Sequence, residues 1–289
     1  MGSGSSGENE SWEGLYAEHW AKLGPETREA ILGLLPEDWS FEGRRVLDFG
    51  CGPGRTLQEF GPEARAGEIW GVDIDAGSIE RVRRDLCPPM RAEVCGPAPP
   101  LGFEDASFDL AWAISVFTHL TDHSAAWLLE LHRILKPGGY LIATYMGRFH
   151  SEILAHEPWD EDRIGMNVLC HDHGREQGAP MVLMSEWWVR EHWGRAFEIV
   201  RIAPDIHRQS WAAMRRKDVE LTPEELLRPG DDPREFDALR HNVRQVQREL
   251  EEAKAEAARR EAEIREEFEG SLSWRATAPL RRLRRSRRD

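Results

Sequence analysis

The chain has 289 residues, enough for one α/β domain and an appendage, and 52 acidic against 38 basic residues give it a net charge of −14. That balance argues against a nucleic-acid-binding catalytic domain, so no nucleic acid is expected among its partners. No apolar run approaches the ~20 residues needed to span a bilayer, and the Gly/Ser segment Met1–Gly7 does not read as a secretory leader. The four cysteines, Cys51, Cys87, Cys95 and Cys170, show no paired metal spacing. They fit reduced thiols in a cytoplasmic protein.

Residues 1–43 read as a leader followed by two helices, with Leu15, Trp20 and Leu23 and then Ile31, Leu32 and Leu35 at helical spacing. Next comes Val46-Leu47-Asp48-Phe49-Gly50-Cys51-Gly52-Pro53-Gly54-Arg55. An apolar strand here runs through an acid into three alternating glycines, the pattern of a buried parallel strand ending in a tight turn over a nucleotide-sized ligand. Glycine lets the backbone turn sharply and approach a ligand closely because no Cβ intervenes. The third glycine arrives one residue earlier than in a dinucleotide fingerprint. A second apolar strand, Ile69-Trp70-Gly71-Val72-Asp73-Ile74-Asp75, ends in acid about twenty residues on, where a ribose-binding carboxylate belongs.

Strands are predicted at 45–49, 68–72, 92–95, 109–114, 140–145, 197–202 and 209–214, with helices between them, which implies a parallel, doubly wound sheet. Between Gly147 and Trp193 lies an insert rich in histidine, tryptophan and methionine, sized for a lid or an acceptor pocket. It falls at the carboxyl ends of the strands, where open α/β sheets bind ligands. Residues 218–235 read as a polar linker. In 236–270, Phe236, Leu239, Val243, Val246, Leu250, Ala253 and Ala257 recur at alternating steps of three and four, an a/d heptad seam flanked by glutamate and arginine. A homo-oligomer through this seam and a solvated single helix are both compatible with it. Residues 271–289 form a basic tail with seven arginines and one aspartate from Arg275 onward. Trp274, Leu280 and Leu283 among those arginines suit an anionic membrane surface or an acidic partner.

The glycine loop resembles the cofactor loop of class I S-adenosylmethionine-dependent methyltransferases. Ile69–Asp75, the stretch Phe103–Leu120 and the helix, Pro-Gly-Gly turn and strand of Leu128–Thr144 resemble that family's later motifs, in the same order. The likeness covers residues 44–217, and it implies a Rossmann-like, doubly wound seven-stranded sheet in the order 3-2-1-4-5-7-6. The last strand would be antiparallel, and the helical coiled-coil extension would follow. The implied cofactor is S-adenosylmethionine. By the same resemblance Asp48 organises the loop and the cationic amino end of the methionine moiety, and Asp73 accepts the ribose hydroxyls. Ile74 packs on adenine, and Gly50, Gly52, Gly54, Arg55 and Ser115 complete the cofactor contacts. Gly96-Pro97 stands where many relatives place an adenine-binding acid, which leaves adenine to backbone groups.

Ser271-Leu272-Ser273-Trp274-Arg275-Ala276-Thr277-Ala278-Pro279-Leu280-Arg281 resembles a short tail found after coiled coils in bacterial surface-polysaccharide enzymes. This resemblance implies O-methylation of a sugar or glycan intermediate in the cytoplasm, peripheral at the inner face of the membrane. A small-molecule or natural-product methyltransferase, or an assembly protein using its coiled coil, are the alternatives. A hydroxyl acceptor calls for a general base; His119 and His150 are the candidates, His119 also fitting a backbone-bonding helix-start residue. His171-Asp172-His173 offers too few ligands for zinc and reads as a polar loop, so no metal is expected. Trp187, Trp188, Trp193 and Phe197 read as core.

Overall fold

The computed structural model describes residues 12–154, 156–169, 180–271 and 276. Met1–Gly7, Cys170, His171-Asp172-His173 and the arginine tail lie outside these residues. The chain divides into two compact units, Met1–Ala238 and Leu239–Asp289.

In chain order the first unit opens with α1 (Trp12–Leu34) and β1 (Arg45–Phe49), then a 3-10 turn (Leu57–Phe60), α2 (Glu63–Ala66), β2 (Glu68–Asp73), α3 (Ala76–Leu86), β3 (Arg91–Val94) and β4 (Phe108–Ala113). It continues through α4 (Ser124–Ile134), β5 (Leu135–Tyr145), a π-turn (His150–Leu154), β6 (Met166–Leu169), β7 (Met181–Met184), α5 (Glu186–Ala196), β8 (Phe197–Ile206), β9 (Gln209–Arg216) and α6 (Pro223–Leu227). The last helix, α7 (Pro233–Gly270), begins in the first unit, and its residues from Leu239 on belong to the second.

Seven strands form one sheet in the order β3-β2-β1-β4-β5-β9-β8. The pairs among β1 to β5 are parallel, and β9 runs antiparallel to both β5 and β8. This is the order and the reversed final strand expected from the sequence. The pleat explains why the sheet is two-faced. Leu47 and Phe49 enter one apolar layer with Leu128, Leu131 and Trp193, while Val46 enters the other with Ile31, Phe60 and Trp112. Every residue of β4 is buried, as befits a parallel strand covered on both faces. Strand order reverses between β1 and β4, opening a crevice at their carboxyl ends.

Several local expectations need correction. The N-terminal segment is one helix, α1, with Pro25 inside it, and not two. Proline removes one backbone donor, but burial of Ile31, Leu34 and Leu35 on the sheet holds the turns beyond it in line. Strand β5 starts at Leu135, before the Pro-Gly-Gly turn, because Leu135 pairs with Phe108 ahead of a register shift. Within 218–235 lies α6, where a capping box at Thr222 and Glu225 starts the helix and Leu226 is fully buried. The insert carries a two-stranded antiparallel sheet, β6–β7, whose four-residue strands are too short for an alternation signal.

Candidate active site

Strand β1 delivers its glycine turn into the crevice. The Gly50 and Cys51 amides both donate to the Val72 carbonyl, at 2.8 and 3.0 Å, which ties the loop to β2. Gly50 has φ +77°, and a Cβ there would come within 2.4 Å of Val116 Cγ2. Only glycine fits that position. The Gly52 amide donates to Asp73 Oδ2 at 2.7 Å, and the Asp75 amide donates to Oδ1 at 2.8 Å. Each Asp73 oxygen is thereby oriented and retains a second acceptor position. Asp75 then caps α3 by accepting from the Ser78 amide at 2.9 Å.

Above the turn lies a cavity of about 420 Å³, lined in part by Gly50, Asp73, Ile74, Ser115, His119 and Trp127. Ile74 is 48% exposed, an apolar surface left open beside the carboxylate. Ser115 sits at φ +59°, a conformation uncommon for a non-glycine residue. It is held by its amide donating to Thr144 Oγ1 at 2.7 Å and by a hydroxyl–amide hydrogen bond with Gln209 at 2.9 Å. Cys95, Gly96 and Pro97 close the far wall, so backbone groups stand where an acid is absent. Phe49 and Trp127, in tilted contact at 4.8 Å, also line the cavity. Sequence reasoning missed Trp127, since its place in an apolar helix reads as core alone.

Asp48, Gly52, Gly54 and Arg55 are not among the residues that line this cavity. Asp48 is 3% exposed, and burial pushes its pKa up to about 7, with the Trp112 indole and the Arg55 guanidinium pulling the other way. Its Oδ2 is buried without a hydrogen-bond partner, an acceptor suited to a cationic or N–H donor. Gly54 has φ +87°, and a Cβ there would meet Leu86 Cδ1 at 2.7 Å, so the loop packs directly on α3.

Residues 47–143 match the methyltransferase-domain family. The fold is that of class I S-adenosylmethionine-dependent methyltransferases. The phthiotriol/phenolphthiotriol dimycocerosates methyltransferase 1 of Mycobacterium ulcerans is 32% identical over 123 residues, 43% of this chain and 44% of that protein. The malonyl-[acyl-carrier protein] O-methyltransferase of Erwinia billingiae is 31% identical over 124 residues, 41% of this chain and 46% of that one. The chain thus spans less than half the length of these curated relatives. An S-adenosylmethionine-dependent methyltransferase from Mesorhizobium loti superposes with a TM-score of 0.50 at 17% identity, covering 65% of this chain and 96% of its own, which bears on the fold alone.

The residues of the methyltransferase fold fit the cofactor. A two-oxygen acid faces the cavity for a vicinal diol, an apolar side chain lies beside it, and an orphaned buried acceptor precedes the glycine turn. The two histidines differ. His119 is exposed in the turn after β4, and its Nδ1 lies 2.8 Å from the Pro180 carbonyl. A carbonyl only accepts, so Nδ1 carries the proton and Nε2 keeps a free lone pair. His150 is 6% exposed, and burial, with the His119 and Arg208 charges added, pulls its pKa down to about 4. That makes it a neutral and weak base. The four aromatics Trp187, Trp188, Trp193 and Phe197 are buried, as read from the sequence.

A second cavity of about 540 Å³ lies where β5 and β7 end and β8 turns into β9. Tyr145, Trp159 and Trp187 give it aromatic walls, and Arg148, Glu161 and Arg190 are among its polar ones. Glu161 accepts from the Trp159 indole at 2.9 Å and from the Glu186 amide at 2.8 Å. Each arginine is paired: Arg148 with Glu152, Arg190 with Glu186 and Arg234 with Asp232. Among the described residues no group of three metal-ligating side chains could hold an ion, and no helix is long and apolar enough to cross a membrane.

Proposed function

We propose that the chain is an S-adenosylmethionine-dependent methyltransferase that O-methylates a hydroxyl of a sugar or glycan intermediate, with His119 as the general base. The observation that carries this reading is the His119 ring, which lines the cofactor cavity with its tautomer set by Pro180. When bound, the cofactor supplies an electrophilic methyl group on a sulfonium. The chain's part is to align an acceptor oxygen with it, which can lower the barrier by ~7–11 kcal/mol, and to take the hydroxyl proton onto His119 Nε2.

A neutral polyol suits the second cavity best. Aromatic walls serve the C–H faces of a sugar ring, and planar carboxylates and guanidinium groups serve its hydroxyls. With every arginine there already paired, an anionic acceptor gains little. The likeness of residues 271–281 to tails of surface-polysaccharide enzymes points the same way, and an oxygen acceptor is named for the Erwinia relative.

Labelled methyl donor with neutral sugar acceptors tests the reaction. His119→Ala should lower kcat ~10²-fold with cofactor affinity retained. Equal turnover would return His119 to a turn-stabilising role, and label found on carbon or nitrogen would overturn O-methylation.

A further inference from the structure

Around Ile74 the 420 Å³ cavity is walled by Cys95, Gly96, Pro97, Leu120 and Trp127. None of these side chains is a strong hydrogen-bonding group apart from the Trp127 indole, so a base packed on Ile74 meets mainly backbone groups at its edge. The Cys95 amide donates to the Asp73 carbonyl at 2.9 Å, and Pro97 has no amide hydrogen. Of the three consecutive wall residues, Gly96 alone keeps a free amide, which has no partner among the described residues.

This wall is the first part of a strap, residues 95–107, that is fastened to α4 along its length. The buried Trp127 directs its indole N–H at the Pro97 carbonyl, 3.4 Å away. One turn on, Glu130 is a buried carboxylate that does not line the cavity. Its Oε1 accepts from the Leu101 amide at 2.7 Å, and its two oxygens accept from the Arg133 guanidinium at 2.6 and 2.9 Å. Arg133 also donates to the Phe103 carbonyl at 2.9 Å and pairs with Asp105. The Ala106 and Ser107 amides complete the attachment, donating to the Arg133 and Ile134 carbonyls at 2.9 and 2.7 Å. A planar five-donor fork can hold a carboxylate and a strap carbonyl together, and an ammonium in its place loses that geometry.

We propose that Glu130 and Arg133 are positioning residues for adenine recognition, holding the strap so that the backbone of the Cys95–Pro97 wall reads the purine edge. This rests on the reading of the 420 Å³ cavity as the S-adenosylmethionine site. Adenine presents an N–H donor at N6 and an acceptor at N1, and hypoxanthine reverses both. Backbone groups distinguish the two bases only while their peptide planes are held in place; a loosened strap can turn to suit either.

Calorimetric titration of the full chain with S-adenosylhomocysteine and with its deaminated counterpart, S-inosylhomocysteine, tests this. Wild type should prefer the adenine ligand about 100-fold, the effect of two reversed hydrogen bonds. Arg133→Lys, which keeps the charge and loses the fork, should cut that preference about tenfold. Glu130→Gln keeps an acceptor for the Leu101 amide and should cut it by less. Partial unfolding weakens both ligands alike and cancels in the ratio, so a clamp that serves stability alone would leave the preference at its wild-type value in both variants. That result would overturn the proposal, as would a wild type with no preference for adenine. A wild type that binds neither ligand would overturn the S-adenosylmethionine reading itself, and this inference with it.

Discussion

Asp48 and Asp73 are two carboxylates placed in opposite environments by one turn. Asp73 is half-buried with a backbone amide on each oxygen, whereas Asp48 is buried with one oxygen unpartnered. Asp73→Ala should weaken S-adenosylmethionine binding by ~1–3 kcal/mol by calorimetry, the cost of leaving ribose hydroxyls without their acceptor. Unchanged affinity would remove Asp73 from the ribose site. For Asp48 the sign follows from its raised pKa. Folding favours the protonated form, so its contribution to stability is complete below about 3.8 and is lost as pH rises through about 7. Asp48→Asn removes that loss, and the cofactor-free variant should melt higher than wild type at pH 8. The cofactor's ammonium needs the ionised acid, so wild-type affinity should rise between pH 6 and 7.5 while D48N stays weak and flat. Parallel slopes in the two proteins would show that Asp48 does not meet the cofactor's charge.

Among the elements, the junction of α5, α6 and α7 was the hardest to foresee. His192 on α5 is buried, with Nδ1 3.0 Å from the Leu226 carbonyl and Nε2 2.6 Å from Glu235 Oε1. One side chain thereby joins the end of α6 and the first turn of α7 to the sheet-covering helix. Glu235→Ala leaves a buried imidazole nitrogen without its partner and should cost ~1–3 kcal/mol of stability, read as a lower Cm in urea. Cofactor affinity should hold, since no residue of this junction lines the 420 Å³ cavity. A variant as stable as wild type would mean that Leu226 burial alone fixes the junction.

For the whole molecule, cofactor binding is separable from the second unit. Every residue that lines the cofactor cavity lies at or before Trp127, while the second unit begins at Leu239. Truncation after Ala238, which removes the second unit, should therefore leave S-adenosylmethionine binding as in wild type. Loss of affinity in the truncated chain would mean that residues beyond Ala238 complete the site.

The sheet order and the reversed last strand followed from the family resemblance, while the residues themselves marked the strands, the glycine turn and the acid that ends β2. These depend on local patterns: apolar runs that suit buried strands, and backbone conformations open only to glycine. The sequence also singled out His119, but not which nitrogen holds the proton, because Pro180 is brought to it by chain folding across 61 positions. Tertiary structure decided the rest. It brought Trp127 into the cavity lining, buried Asp48 with one oxygen unpartnered, and made His150 a buried, neutral ring. It merged two expected helices into α1 and docked α6 through Leu226. Each of these outcomes depends on burial and on partners distant in sequence, which set the free energy of a side chain and leave no mark on the residues beside it.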